Sequence, residues 1–176
     1  MPAKKLPVCP HCGSKKIKEA DGFFHCKDCA SDFGRVALSD YGEPMIQAVT
    51  GIRFCYGDAV SGSVHLRFQE DGDSCIFEVY DANEGGADKV IEVVPMKKWQ
   101  ELKRKLFEEL YVNDWDKEYL PVNDGQSEFE NNSWKFTVIV NDEEETSYSG
   151  VDAYPVYWRG LINLLDPYLD KLKRDE

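Results

Sequence analysis

Two pairs of cysteines near the start of the chain are the residues best suited to chemistry. Cys9 and Cys12 are separated by two residues, as are Cys26 and Cys29, and thirteen residues lie between the pairs. Two intervening residues let one tight turn present both sulfurs to the same ion, and two such turns complete a tetrahedron of ligands. A four-sulfur site has no coordination position left for water or substrate. The spacing therefore predicts one structural Zn²⁺ held by these four side chains.

Two alternatives to this site involve redox chemistry and histidine ligands. A Cys-x-x-Cys pair can be a redox centre, but a thioredoxin-like pair needs a βαβ context, which the surrounding sequence does not predict. The first residues carry charge without an apolar core, so we expect no secretory signal and a cytoplasmic location. Thiols stay reduced there, which favours metal binding over disulfides. His11 and His25 lie within the same stretch, and either could replace a cysteine, although four sulfurs are better placed.

The residues around the cysteines resemble the zinc-ribbon family. Residues 7–14 read Pro-Val-Cys-Pro-His-Cys-Gly-Ser, and Phe24 stands two positions before the second pair. In that family each pair forms a knuckle, and a glycine often follows its second cysteine, as Gly13 does here, because glycine accepts a positive φ. Ala30 departs from this pattern, which costs on the order of 1 kcal/mol if its backbone is left-handed. The resemblance implies a zinc ribbon whose metal holds a small module together.

Charge is distributed unevenly along the chain of 176 residues. Residues 1–36 carry seven basic and four acidic side chains, a balance of +3, which leaves −15 for the remainder of a chain whose net charge is −12. Ser, Asp, Gly and Pro in the stretch 37–44 predict a linker. We therefore expect a zinc ribbon over residues 1–36 and an acidic domain over residues 45–176. A module of ~35 residues needs its metal to fold, whereas a domain of ~130 residues does not.

The acidic part predicts an α+β domain, in which two helices pack on a mainly antiparallel sheet. Residues typical of strands occupy 48–56, 63–69, 74–80, 89–94, 134–140 and 146–151, and over 63–69 apolar and polar residues alternate. Pro95 suits the start of one helix and Pro155 the start of another, and Pro167 is expected to kink the second helix. The first helix has an apolar stripe of Trp99, Leu102, Leu106 and Leu110.

A second resemblance covers about residues 50–172. It is carried by Trp115, Asp124-Gly125, Ser133-Trp134 and the stretch Gly150-x-x-Ala153-Tyr154-Pro155-x-x-Trp158, with Asp152 where the pattern has Asn. These residues resemble an uncharacterised α+β domain of bacterial proteins. The resemblance implies a sheet with two helices and a source in bacteria or their mobile elements, and it brings no catalytic residues with it.

Two further cysteines leave an enzymatic alternative open. Cys55 and Cys75 lie on predicted strands, where cysteine is usually a buried apolar thiol. A nucleophilic cysteine needs a histidine partner, and His65, the one histidine outside the ribbon, alternates with Ser63 and Arg67 on the side expected to face solvent. We therefore expect a non-enzymatic protein.

Binding of another protein is the function that this sequence favours, because the metal site has no open coordination position and the sequence predicts no group of catalytic residues. The aromatic residues Tyr111, Trp115 and Tyr119 lie among charges in an irregular segment and would form a partner surface if exposed together. The alternative is that they fold back over the sheet. A bacterial or mobile-element accessory or regulatory factor fits this reading. A membrane partner is not expected, because no stretch reaches ~18 apolar residues.

Two other functions remain open. The ribbon could bind nucleic acid, with lysines contacting phosphates and phenylalanines stacking on bases; the residues suited to this are Lys15, Lys16, Lys18, Phe23 and Phe24. The acidic domain could instead mimic nucleic acid and occupy a basic channel of another protein, with the acidic stretch 142–145 as part of that surface. The net charge argues against the first alternative, since an acidic domain repels phosphates.

Overall fold

The computed structural model of this chain describes residues 5–58, 62–82, 89–121 and 132–173. It contains a three-stranded sheet near the cysteines and a seven-stranded sheet packed by helices, which confirms the predicted α+β class. The turn expected at Asp124-Gly125 lies outside the described residues. Within the described ranges, none of the helices has the length and apolar character needed to cross a bilayer.

The N-terminal module is built on three short antiparallel strands. They are β1 (Ile17–Ala20), β2 (Phe23–Cys26) and β3 (Asp32–Phe33), with β2 in the middle. Gly22 has φ 82° in the turn between β1 and β2. The small core consists of two cysteines, Ile17 and Phe33. It is far too small to offset the ordering of the chain without further support.

The connecting segment is more ordered than a simple linker. An isolated bridge joins Leu38 to Pro44 and closes a turn in which the Gly42 amide donates to the Ser39 carbonyl at 2.9 Å. A short helix, α1 (Met45–Ala48), follows. One helical turn is too short to produce a periodic pattern, which is why the sequence did not predict it.

The large sheet contains the six predicted strands and one more. Its strands are β4 (Val49–Asp58), β5 (Gly62–Asp71), β6 (Ser74–Asp81), β7 (Val90–Pro95), β8 (Glu118–Tyr119), β9 (Asn132–Val140) and β10 (Glu144–Val151). Their order across the sheet is β7-β6-β5-β4-β9-β10-β8. All neighbours are antiparallel except β10 and β8. The two-residue β8 was not predicted.

Two longer helices cover one face of this sheet. The first, α2 (Met96–Arg104), continues into a π-helical turn at Lys105–Glu109, and the second is α3 (Trp158–Leu169), which includes Pro167. The predicted stripe of α2 is buried against the sheet, where Trp99 stacks on Phe68 with ring centroids 5.7 Å apart. Strand side chains alternate between this core and the other face of the sheet. On that other face Arg53, Arg67 and Lys135 are exposed.

Candidate metal centre and binding surfaces

The four predicted cysteine ligands meet at one point of the N-terminal module. The Sγ atoms of Cys9 and Cys29 are 3.6 Å apart, those of Cys12 and Cys26 are 3.5 Å apart, and all four lie within 4.8 Å of one another. Four sulfurs about 2.3 Å from a common ion form a tetrahedron with edges of about 3.8 Å. The cluster therefore has the dimensions of a four-coordinate metal site.

Both cysteine pairs adopt the same backbone turn. In the first, the Cys9 amide donates to Ser14 O at 3.0 Å and the Gly13 amide to Cys9 O at 2.9 Å. In the second, the Cys26 amide donates to Ser31 O and the Ala30 amide to Cys26 O, both at 2.9 Å. Gly13 and Ala30 have φ values of 76° and 62°. The two halves of the site are thus local repeats, and the left-handed conformation expected at Ala30 is observed.

The surroundings of the sulfurs favour a bound cation. Cys9 and Cys26 are buried, and the His11 amide donates to Cys9 Sγ at 3.4 Å. Burial raises the pKa of Cys9, whereas hydrogen bonding with Ser31 lowers the pKa of Cys29 to about 6. A buried thiolate at Cys9 needs a positive charge beside it. A metal ion supplies that charge, because only deprotonated cysteine binds metal.

The two histidines of the module are engaged elsewhere. His25 Nδ1 lies 2.7 Å from Asp32 Oδ1 on the neighbouring strand, and His11 Nδ1 lies 3.5 Å from Asp116 Oδ1 of the large domain. The group of potential ligands within metal-binding distance contains cysteines alone among the described residues. The histidine alternative is therefore not supported.

Hydrogen bonds connect the N-terminal module to the large domain. The Tyr157 hydroxyl donates to Val8 O at 2.7 Å, and the Gly34 amide donates to Asp114 Oδ2 at 3.0 Å. Burial raises the pKa of Asp114, and this amide partly opposes the effect. The module is thus attached at two separated points in addition to the pair formed by His11.

An aromatic cluster fills the space between these attachment points. The Tyr111 ring meets Phe24, Phe33 and Tyr157 with centroid distances of 6.2, 5.3 and 5.7 Å, and the first two contacts are edge-on. Such pairs contribute about 0.5–1.5 kcal/mol each beyond the apolar area that they bury. Tyr111 therefore packs against the core of the N-terminal module and contacts Tyr157, which packs against the core of the large domain.

The three aromatic residues considered as a partner surface do not form an exposed patch. Trp115 is only 4% exposed and its indole donates to Leu110 O at 2.8 Å. Tyr119 is half-buried and packs on Trp134, and Tyr111 lies in the aromatic cluster. The segment folds back because these rings complete the core at the end of the sheet, which is the alternative reading of the sequence.

The residues considered for nucleic-acid contact are only partly available. Lys15 and Lys18 are exposed, whereas Lys16 pairs with Asp28 at 3.6 Å. Phe24 packs on Phe33 and Tyr111. The guanidinium of Arg35 lies over the Phe23 ring, 3.8 Å from its centroid. Both rings are half-buried, so each is only partly available for stacking on a base.

A groove at the junction of the two modules was missed by the sequence reading. It has a volume of about 410 Å³ and is lined from the module by Phe24 and Val36, from helix α1 by Met45, and from the rest of the large domain by Phe107 and Tyr111. Three apolar side chains at the end of the module and in the connecting segment are strongly exposed: Val36 (77%), Leu38 (59%) and Tyr41 (77%). Apolar residues in a linker rich in turn formers were the signal that could have indicated this surface.

The two remaining cysteines lie on opposite faces of the large sheet. Cys75 is buried in the core, and burial raises its pKa to about 11. Cys55 is half-buried on the other face, directly opposite His65 in the β4–β5 ladder. Burial also raises the pKa of Cys55, and His65 Nε2 lies 2.9 Å from Ser63 Oγ. The sequence left a cysteine–histidine pair open as an enzymatic alternative, and Cys55 and His65 are neighbours, but the thiol lacks the lowered pKa of an activated nucleophile.

Comparison of the chain with known proteins finds no matching family, no matching curated protein and no matching solved structure. Function is therefore inferred from the residues and their geometry alone.

Proposed function

We propose that this chain is a zinc-ribbon protein that acts by binding another protein at the junction of its two modules. The observation that carries the proposal is the exposed apolar segment beside the junction groove. Val36 lines the groove, and Leu38 and Tyr41 belong to the turn that follows it. Exposed apolar side chains grouped in this way are typical of interaction sites.

Zinc is the ion that best suits the cysteine cluster. Four thiolates form a soft tetrahedral ligand set, which zinc prefers and which hard cations such as magnesium and calcium do not. With all four positions filled by sulfur, zinc here has a structural role and activates no water. It maintains the module that supplies one wall of the groove.

The partner is expected to place an apolar side chain in the groove and basic groups at its rim. Burial of one large aliphatic or aromatic side chain contributes about 1.5–3 kcal/mol. Glu108 and Asp114 line the groove together with a single arginine, Arg35, and Glu43 is exposed in the neighbouring turn. A basic flank on the partner complements this excess of carboxylates.

Affinity capture from the native host, comparing two double variants, tests the proposal. Leu38→Glu with Tyr41→Glu places charge on the exposed segment, and we expect it to remove the captured partner. The control is Ile91→Glu with Val93→Glu, which changes two similarly exposed apolar residues (60% and 68%) on β7. The captured partner should then bind the unmodified protein after purification. Partner capture that is unchanged in Leu38→Glu with Tyr41→Glu contradicts the proposal. Capture that is lost equally in this variant and in the control also contradicts it.

Nucleic-acid binding through the module is the second candidate, and exposed Lys15, Lys18 and Lys27 support it. The engaged phenylalanines and the negative large domain weaken it. A labelled single-stranded oligonucleotide at low salt distinguishes the two candidates, because phosphate contacts are strongest there. Binding that is lost in Lys15→Glu with Lys18→Glu favours nucleic acid.

A further inference from the structure

Four nitrogen-bearing side chains surround one small side chain on the open face of the large sheet. Cys55 of β4 lies between His65 of β5 and Lys135 of β9 in the strand ladder. Arg53 lies on β4 two residues before Cys55, directly opposite Arg67 of β5. All five residues line one cavity of about 330 Å³.

The register explains why a hollow forms at Cys55. Side chains directly opposite each other have Cβ atoms about 4.5–5.5 Å apart, and side chains two residues apart on one strand are about 6.6 Å apart. Cys55 is therefore the short central member of a set of long side chains. Its size leaves the centre open, and the longer side chains of its neighbours line the cavity around it.

The charged side chains that line this cavity leave an excess of one positive charge. Arg53, Arg67 and Lys135 line it together with two carboxylates, Glu78 and Glu145. Arg53 pairs with Glu145 at 2.9 Å, and Glu78, which lies directly opposite Arg67 on β6, pairs with Lys89. Among the side chains that the structure describes, no carboxylate forms an ion pair with Arg67 or Lys135. Like charges directly opposite on neighbouring strands destabilise a sheet, and a bound anion would add to the partial compensation that these two carboxylates provide. This local excess of positive charge stands out in a chain with a net charge of −12.

The geometry points to a binding site for the phosphate group of a small molecule at this hollow. Guanidinium groups donate paired hydrogen bonds to phosphate oxygens, and an ammonium adds a point charge. The cavity volume is at the lower end of the range for small-molecule sites. A small ligand is favoured over a nucleic-acid strand because the acidic chain repels a polyanion beyond its point of contact.

Calorimetric titration of the full-length, metal-loaded protein with inorganic pyrophosphate at low salt tests this site. We expect binding that weakens as salt is added. Arg67→Gln should weaken it about tenfold, since it removes a charge-assisted hydrogen bond. Arg67→Gln with Lys135→Gln should weaken it further. The control, Lys97→Gln with Arg159→Gln, removes the same charge from exposed positions elsewhere and should have little effect.

Cys55→Leu provides a second test that leaves the charge unchanged. A larger side chain at the floor of the hollow should weaken pyrophosphate binding by a similar factor while thermal unfolding shows an intact fold. Arg67→Gln should leave the unfolding temperature without ligand nearly unchanged, because Arg67 lies opposite both Arg53 and Glu78.

Three results would overturn the assignment. The first is the absence of pyrophosphate binding at low salt, and the second is a loss of binding in the control variant equal to that in Arg67→Gln. The third is tighter binding of a single-stranded oligonucleotide than of pyrophosphate through the same residues.

Discussion

Ala30 occupies a backbone conformation that its own side chain makes costly. Its φ is 62°, and Gly13 at the same place in the other cysteine turn has φ 76°. A left-handed conformation costs a residue with a Cβ roughly 1–2 kcal/mol, whereas glycine adopts it without that penalty. The second turn is thus held in this shape by the hydrogen bonds and the metal site around it.

Ala30→Gly is accordingly expected to strengthen the metal site. The gain should be about 0.5–1 kcal/mol, because the relieved strain is partly offset by the greater freedom of glycine in the unfolded chain. This corresponds to a roughly twofold to fivefold gain in zinc affinity in a competition titration with a chelator. Gly13→Ala should have the opposite effect. Its new Cβ would meet only the Val156 methyl groups at 3.9 Å, so the loss would come from the backbone. Unchanged zinc affinity in both Ala30→Gly and Gly13→Ala would contradict a backbone cost at these two positions.

At the residue scale, the sequence predicted what depends on local spacing. The four metal ligands lie in two local turns with the same hydrogen bonds, so their spacing alone specified them. Tyr111 and the opposed pair Arg53 and Arg67 depend on which strands and loops become neighbours. No local pattern contains that information.

Helix α2 is connected to the sheet by a buried lysine. Lys103 Nζ donates to Val49 O at 2.9 Å and to Glu70 Oε1 at 3.1 Å, and the indole of Trp99 donates to the same carboxylate oxygen at 2.6 Å. The lysine side chain is 1% exposed, and that of Glu70 is 23% exposed. One carboxylate thus links two positions of the helix to β5, and the lysine also reaches the first residue of β4.

Lys103→Ala should therefore destabilise the large domain by about 2–4 kcal/mol. It removes one partner of a mostly buried pair and leaves the Val49 carbonyl unsatisfied, although the exposure and remaining indole bond of Glu70 moderate the cost. Lys103→Met retains the apolar stem and should cost less. Lys97→Ala on the exposed side of the same helix should change stability by no more than about 0.5 kcal/mol. Urea denaturation followed by tryptophan fluorescence measures all three, and equal effects for Lys103→Ala and Lys97→Ala would contradict the buried linkage.

At the scale of elements, composition and periodicity together were a good guide to the strands. The six predicted strands are present because β-branched and aromatic residues suit a half-buried sheet, and over residues 63–69 alternation reports directly on a sheet that packs helices on one side. Helix α1 and strand β8 are four and two residues long, too short to show a period. Strand β8 pairs in parallel with β10 at Ser149 and Gly150, a contact determined by the folded-back aromatic segment.

The two modules of the whole molecule share one interface instead of standing apart. Opposite net charges predicted a boundary but contained no information about docking. The observed junction joins Tyr157 to Val8, Gly34 to Asp114 and Tyr111 to the module core. Tyr111 has φ 53°, and this unfavourable conformation persists because its ring is fixed between the core of the N-terminal module and Tyr157.

Removal of the metal should therefore affect more than the N-terminal module. Without its ion, the module retains a core of only four buried residues and is expected to unfold. The large domain has its own core of more than twenty buried residues and should remain folded with reduced stability, because Tyr111 and Tyr157 lose their packing. Hydrogen exchange after chelation should show lost protection in β1, β2 and at the Gly34 amide, with protection retained in β4, β5 and β9. Addition of zinc should restore the original pattern.

Hydrogen exchange after chelation also shows whether the N-terminal module is docked on an independently folded domain or unfolds together with it. If chelation unfolds β4, β5 and β9 together with the module in one transition, the junction is part of a single cooperative core and the two-module description is wrong. Tyr111→Ala with zinc bound is the matched comparison, since it should weaken docking while leaving the four cysteines in place. Because the junction groove needs a wall from each module, partner capture should fall both after chelation and in Tyr111→Ala. Pyrophosphate binding on the open sheet face, which shares no residue with the junction, should persist in both.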